Sequence, residues 1–218
     1  MDRCIDTGRM WEDALSKLNI TRAFGAAAIA LTMAATVVMA QQPSRIRGQI
    51  EKVDGAMLSV KTNDGKMVMV KVADDVRLSS LAKATLADIK TDSYIGVAGM
   101  ARSDGSIEAF SIHVLPAASR GNGEGERPWD ARPGSTMTNA YVESSVAGAN
   151  GHTLMVKYKD SEKKIIVTPT TVLALAGPAD KSELKAGAQI IIMAAVKQSD
   201  ASYLAKAMYV GRGIKPAM

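Results

Sequence analysis

The stretch IGVAGMARSDGSIEAFSIHV, Ile95 to Val114, contains two apolar runs joined by a short polar turn. A similar stretch, IIIMAAVKQSDASYLAKAMYV, follows at Ile190 to Val210. Two apolar runs around a polar turn are typical of a β-hairpin. A chain that repeats one hairpin so closely is expected to contain two related folding units.

The similarity extends to the N-terminal side of both hairpins. Asp54 to Lys61 matches Asn150 to Lys157 at a constant offset, and the Gly, Leu, Val and Lys positions are identical. Asp88 to Lys90 then matches Glu183 to Lys185. Chance likeness between short strands would not hold its spacing over so many elements, so the sequence predicts an internal repeat.

Turn chemistry and hydrophobic spacing predict the elements of each copy. Asp54-Gly55 is a hairpin signal, and Ser79 to Lys90 changes to helical spacing after a serine that can act as N-cap. The predicted strands of the first copy are Arg45 to Val53, Leu58 to Val60, Met67 to Val72, Tyr94 to Met100 and Ile107 to Val114. Those of the second are Asn139 to Val146, Thr153 to Tyr158, Lys163 to Thr168, Gln189 to Val196 and Tyr203 to Val210, with a weaker helical piece at Asp180 to Leu184.

Three strands, a short helix and two strands are the element order of a five-stranded OB-like barrel. The predicted fold class is therefore all-β with one short helix per repeat. Two tandem OB-like barrels are expected, the first over residues 44–116 and the second over residues 138–214. A pair of open β-sandwich halves is the alternative.

A family resemblance rests on the junction between the predicted helix and the fourth strand. Leu86 to Lys90 (LADIK) runs into Ile95 to Gly99 (IGVAG), and the second copy has Ser182 to Gly187 followed by Ile190 to Ile192. This pattern resembles exported bacterial domains of unknown function with an OB-like barrel, although Thr91-Asp92 replaces the usual small residue in the first copy. The resemblance implies the fold and export, and it brings no catalytic residues.

The N-terminal segment is expected to be a signal peptide over residues 1–40. Lys17 and Arg22 precede an uncharged run from Ala23 to Ala40 that ends in Val-Met-Ala, which suits cleavage after Ala40. A retained inner-membrane anchor over the same run is the alternative. Met10 is a second candidate for the true start.

The segment between the copies, residues 117–137, is rich in Gly and Pro and is predicted to be a linker. Trp129 lies within it, between Pro128 and Asp130. Two hypotheses remain open for this side chain. It either folds back into a groove on a barrel and fixes the angle between the domains, or it anchors a partner.

The best candidate for binding an anion is a basic hairpin in the second copy, where an aromatic ring stands among lysines. A charged hairpin tip is also a common solvated surface. Together with Trp129, the candidate binding residues are Lys157, Tyr158, Lys159, Lys163 and Lys164.

Catalytic and metal chemistry have few candidate groups. The single cysteine, Cys4, would be lost with the signal, and no Gly-x-Ser-x-Gly motif is present. The two histidines, His113 and His152, occupy positions that do not recur between the copies, so we expect surface residues rather than metal ligands. No cofactor, metal site or catalytic residue is predicted.

The sequence therefore predicts an exported, non-catalytic binding or envelope-associated module, in the periplasm or secreted. An envelope protein and an anionic ligand are the candidate partners, which the net charge of +5 permits. Aromatics make up only 4% of the residues, which disfavours nucleic acid, and a membrane would be contacted only through an uncleaved signal. A periplasmic accessory role in metal or stress homeostasis is the alternative. The binding hypothesis predicts a basic or apolar groove continuous across both barrels.

Overall fold

The structure is a computed structural model that describes residues 44–148 and 151–217; the predicted signal segment, residues 1–40, lies outside them. The described residues are all-β, as predicted, apart from single 3₁₀ turns. Their strands are β1 (Ser44–Asp54), β2 (Met57–Thr62), β3 (Met67–Lys83), β4 (Tyr94–Ala101), β5 (Ile107–Val114), β6 (Gly125–Pro128), β7 (Ser135–Gly148), β8 (Gly151–Tyr158), β9 (Ser161–Pro178), β10 (Gln189–Lys197) and β11 (Tyr203–Arg212).

Five strands close into a barrel, which we call barrel A. β1 pairs with β2, β2 with β3, β3 with β11, β11 with β10, and β10 returns to β1. Only the β3–β11 pairing of these is parallel. Inward side chains such as Ile50, Val60, Val70 and Ile192 are fully buried and form the core. A closed barrel leaves its strands no free edge within the circuit, which confirms the predicted five-stranded barrel type.

Five other strands also pair in a closed circuit, which we call barrel B. β4 pairs with β5, β5 with β9, β9 with β8, β8 with β7, and β7 returns to β4. Ile95, Val97, Leu154 and Ile165 are fully buried in its core. Barrel B thus repeats the pairing scheme of barrel A, with β5–β9 as its parallel pair.

Each barrel takes strands from both repeats. Barrel A combines β1–β3 of the first copy with the β10–β11 hairpin of the second, and barrel B combines β7–β9 with the β4–β5 hairpin. The expected tandem order, with barrels over residues 44–116 and 138–214, is therefore wrong in its connectivity. The cause is the length of β3 and β9, which run past their own meanders and pair with each other, so the chain crosses to the other barrel before each hairpin.

The predicted helix from Ser79 to Lys90 is also not found. β3 continues to Lys83, and only a 3₁₀ turn, Leu86–Asp88, follows it. Pairing with β9 and β11 satisfies the backbone of this segment, and that long-range pairing outweighs a weak helical pattern. The Thr85 amide donates to Asp88 Oδ2 at 2.8 Å, so the cap lies six residues later than predicted. In the second copy a similar turn, Lys181–Glu183, lies within the predicted helical piece.

The segment predicted as a linker is partly built into the fold. β6 pairs with β7, the first long strand of the second copy. Trp129 follows β6 and packs in a cluster that joins the two barrels, together with Phe110 of β5, Met137 of β7 and Ile191 of β10. We call this cluster the inter-barrel layer. It holds the outer face of barrel B against the outer face of barrel A.

Candidate ligand cleft between the barrels

A cleft with a volume of about 300 Å³ opens beside the inter-barrel layer. Arg77, Ser79 and Tyr209 line it from barrel A, and Asn139 lines it from barrel B. The remaining lining residues are Leu115, Ser119, Asn122, Met193, Ala207 and Met208. Both barrels therefore contribute to this cleft.

The barrel A side of the cleft is set by the register of β3 and β11. Ser79 lies opposite Tyr209, and Arg77 lies opposite Ala207. Leu78 and Met208, between them, turn inward and pack in the core of barrel A. Since successive side chains of a strand point to opposite faces, Arg77, Ser79 and Tyr209 share the outer face and meet at the cleft.

Arg77 supplies the positive charge of the cleft. Its side chain is exposed, and among the described residues it has no ion pair and no carboxylate beside it in the lining. Other arginines of the barrels form ion pairs. Arg120 pairs with Asp92 and Arg212 pairs with Glu183, both at 2.8 Å or less. A guanidinium carries five donors in a planar fork that matches a carboxylate, so Arg77 is suited to receive an anion.

Tyr209, which is half-buried, lies next to this charge, and the fully buried His113 packs against its ring. The two rings meet edge to face, with centroids 6.4 Å apart. Burial raises the pKa of Tyr209, and the charge of Arg77 partly opposes the rise, so the phenol keeps its proton at neutral pH and can donate it. His113 is fully buried and not on the surface as predicted, and this burial lowers its pKa to about 3. Neither of its ring nitrogens, nor the hydroxyl of Ser111 on the same face, has a hydrogen-bond partner among the described residues.

Hydrogen bonds hold the rim of the cleft in place. The backbone carbonyl of Asn122 accepts one from the hydroxyl of Tyr94 at 2.9 Å and one from Nδ2 of Asn139 at 3.1 Å. These contacts fix the loop after β5 on barrel B. The cleft is therefore formed before any ligand arrives, which lowers the entropy lost on binding.

The predicted basic hairpin lies at a different groove, of about 520 Å³, which Lys157 and Lys159 line with Tyr141. Acidic residues balance its charge, since Asp92, Glu124 and Glu143 line the same groove. This hairpin is therefore a weaker anion site than its sequence suggests.

Two of the other hairpin residues also contact an acidic side chain. Lys163 forms an ion pair with Glu126 at 3.0 Å, and this contact raises the lysine pKa. Tyr158 also donates to Glu126, at 3.3 Å. Lys164 is exposed on β9 and does not line the groove.

Trp129 is only 6% exposed and packs in the inter-barrel layer. The guanidinium of Arg45 lies over its ring, 3.9 Å from the centroid. Of the two hypotheses left open by the sequence, the structure shows the packed arrangement. With its ring covered, Trp129 stabilises the contact between the barrels.

Arg77 is not among the predicted site residues, because the sequence pattern predicts a helix cap at Ser79. The alternation of Val76 and Leu78 with Arg77 and Ser79 is the signal that could have extended β3 and placed Arg77 on its outer face.

In residues 44–148 and 151–217, no group of three or more His, Cys, Asp or Glu side chains could hold a metal ion. The described part of the chain contains no helix of the length and hydropathy needed to cross a membrane. Comparisons of the chain with protein-family models, curated proteins and solved structures give no match.

Proposed function

We propose that the protein is an exported, non-catalytic binding module that holds a small organic anion in the cleft between its barrels. The observation that carries this proposal is Arg77, which has no ion pair among the described residues and lines a cleft to which both barrels contribute. Charged groups without an ion-pair partner at a concave surface are common features of ligand sites.

The chemistry of the lining favours a carboxylate joined to a short apolar group. Arg77 would bind the carboxylate, and the hydroxyls of Ser79 and Tyr209 can donate to it. Leu115 and Met193 offer apolar surface for the rest of the molecule. A volume of about 300 Å³ is at the small end of ligand pockets, so the ligand is a small molecule rather than a polymer.

The lining also supports binding without catalysis. The described lining residues include no carboxylate, thiol or imidazole, which are the usual groups for proton transfer and nucleophilic attack. His113 is close, but it is covered by protein on all sides. Export rests on the predicted signal, with cleavage after Ala40, and places the module in the periplasm or outside the cell.

The test is binding of small monocarboxylates, such as hexanoate and benzoate, followed by calorimetry. We expect Arg77→Gln to weaken binding by about 10- to 150-fold, the cost of losing charge-assisted hydrogen bonds. Arg102→Gln is the matched control, because Arg102 is exposed and pairs with Glu108 away from the cleft. The proposal fails if the native protein binds no organic anion of this size, or if Arg77→Gln binds it as tightly as the native protein does.

A further inference from the structure

Arginine side chains gather on the outside of the inter-barrel layer. The guanidinium of Arg45 lies 3.9 Å and that of Arg127 lies 5.8 Å from the centroid of the Trp129 ring. The guanidinium of Arg132 lies 4.2 Å from the centroid of the Phe110 ring. With one more arginine of β1 they form a group that we call the arginine cluster, namely Arg45, Arg47, Arg127 and Arg132. The cluster concentrates positive charge around the rings that join the two barrels.

Among the described residues, one carboxylate pairs with this cluster. Asp130 accepts a hydrogen bond from Arg47 Nη2 at 2.6 Å and lies 3.5 Å from Nη1 of Arg45. Arg127 donates instead to a backbone carbonyl oxygen at 2.8 Å, which carries no net charge. Neither Arg127 nor Arg132 forms an ion pair within residues 44–148 and 151–217. In this part of the chain, positive charge therefore exceeds negative charge at the cluster.

Two observations indicate that this charge is only partly compensated. Burial lowers the pKa of Arg127, and the nearby charge of Arg45 lowers it further. The Nε atom of Arg45 is buried and has no hydrogen-bond partner among the described residues. A desolvated cation and an unpaired buried donor both cost free energy. An anion bound beside them would offset the repulsion between the guanidiniums.

A groove of about 520 Å³ opens beside the cluster, and we call it the arginine groove. Its positive charges are Arg45, Arg47 and Lys66, of which Lys66 pairs with Asp64 at 2.7 Å. The remaining lining residues are Ser44, Ile46, Thr62, Asn63, Val68, Asp130, Ala131 and Tyr203. The hydroxyl and amide groups among them can add hydrogen bonds to an anion that the arginines hold.

The arginine groove is separate from the ligand cleft. Arg47 lies opposite Ile191 of β10, and Ile191 lies opposite Tyr209 of β11. Directly opposite side chains share one face of a sheet, so these three form a row on the outer face of barrel A. Ile191 is fully buried in the inter-barrel layer, between the groove on one side and the cleft on the other. The two sites share no lining residue.

Barrel B shows that the fold does not require arginines at these positions. β7 takes the place of β1 in barrel B, and each of them shifts register with its next strand at the same point, after Ile50 in β1 and after Val142 in β7. The residues three and five positions before that point are Arg47 and Arg45 in β1, and Asn139 and Met137 in β7. Neutral side chains thus occupy the equivalent positions, so the packing of the barrel does not account for the two arginines.

We propose that the arginine groove binds a phosphate monoester through Arg45 and Arg47. Such a group carries about −1.5 to −2 charges at pH 7 and has three strong acceptor oxygens. The planar fork of a guanidinium matches phosphate oxygens, and two arginines can bind different oxygens of one phosphate. A carboxylate, with one charge and two oxygens, would compensate less of the positive charge of the cluster. Asp130 orients the arginines, and its own charge limits the affinity for the ligand.

The test is calorimetry of the full chain with glycerol 3-phosphate in a phosphate-free buffer. We expect Arg45→Gln to weaken binding by at least about 10-fold, the cost of losing charge-assisted hydrogen bonds. Asp130→Asn should tighten binding, because it removes a negative charge that repels the ligand. A purely structural ion pair predicts the opposite sign, since the loss of Asp130 would then only loosen the arginines.

Vesicles distinguish a free phosphate ester from a lipid headgroup. Phosphatidic acid presents the same phosphate monoester on a lipid. Sedimentation of the chain with vesicles of phosphatidic acid and phosphatidylcholine, but not with phosphatidylcholine alone, would identify a lipid as the source if glycerol 3-phosphate does not bind. Binding of glycerol 3-phosphate in solution would identify a free ester. Arg45→Gln should weaken either form of binding.

Arg102→Gln is the matched control, because Arg102 is exposed and pairs with Glu108 outside the groove. It should bind the phosphate ester like the native protein, and so should Arg77→Gln, which separates this site from the ligand cleft. The proposal is overturned if neither glycerol 3-phosphate nor the phosphatidic acid vesicles bind, if Arg45→Gln binds as tightly as the native protein, or if Asp130→Asn does not bind more tightly.

Discussion

Replacing His113 with leucine is expected to protect the protein against mild acid. His113 is fully buried on β5, and burial lowers its pKa from 6.5 to about 3. In the unfolded chain the imidazole has its ordinary pKa and takes up a proton below about pH 6.5. The unfolded state therefore binds more protons than the folded state between these two values, so the free energy of unfolding falls as the pH falls through this window.

The size of the effect follows from the two pKa values. At pH 5 the imidazole of the folded protein is still neutral. In the unfolded chain, pH 5 lies about 1.5 units below the pKa of the imidazole, and protonation stabilises the unfolded state by about 1.4 kcal/mol per unit. The native protein should therefore lose about 2 kcal/mol between pH 7 and pH 5. Paired carboxylates do not interfere here. Contacts with Lys66 and Arg212 lower the pKa values of Asp64 and Glu183 to about 2, and the stability they give is lost only at more acid pH.

The measurement is urea unfolding at pH 7 and pH 5, followed by far-UV circular dichroism. His113→Leu should keep the same free energy of unfolding at both pH values, because it removes the buried titrating group. His152→Leu is the matched control. It changes the other histidine, which is half-buried on β8, and should lose stability at pH 5 as the native protein does.

Either of two results would contradict this prediction. A native protein equally stable at pH 7 and pH 5 would mean that His113 takes up its proton in the folded state. A His113→Leu variant that loses as much stability as the native protein would assign the acid sensitivity to another group.

Two further predictions concern the contact between the barrels. Trp129→Ala should lower the free energy of unfolding by about 3–5 kcal/mol in urea, because it empties the centre of the inter-barrel layer; a loss below about 1 kcal/mol would show that the ring is not structural. A protease site inserted after Gly121 should, once cut, give two fragments that remain together in gel filtration, because each barrel contains strands from both. Separation of the fragments without denaturant would contradict the strand pairing.

Local chemistry made the strands and turns predictable from the sequence. β5 has the predicted bounds, Ile107–Val114, and Gly55 has the positive φ of 56° that its hairpin turn requires. The partner of each hairpin was not predictable in the same way. The β4–β5 and β10–β11 hairpins have nearly the same pattern, so either could complete either meander, and the pattern carries no information about which one it joins.

The site was harder to predict than the fold because it depends on distances between remote residues. The lysines of the basic hairpin were visible in the sequence, but their acidic neighbours Glu124 and Glu126 come from the segment predicted as a linker. The cleft itself is lined by β3 and β11 of barrel A and by β7 of barrel B, which only the connectivity of the strands brings together. Without that connectivity, nothing in the sequence distinguishes Arg77 from the other charged residues.

The exchange of hairpins also sets the time at which the protein can mature during synthesis. Ile46 near the start of barrel A pairs with Ile192 near its end, so this core stays open until the last strands leave the ribosome. Barrel B also cannot close early, because its second-copy strands follow the first copy in the chain. Pairing over such separations is slow to nucleate. An interrupted chain that lacks β10 and β11 therefore cannot close barrel A, and a finished C-terminus is a condition for maturation.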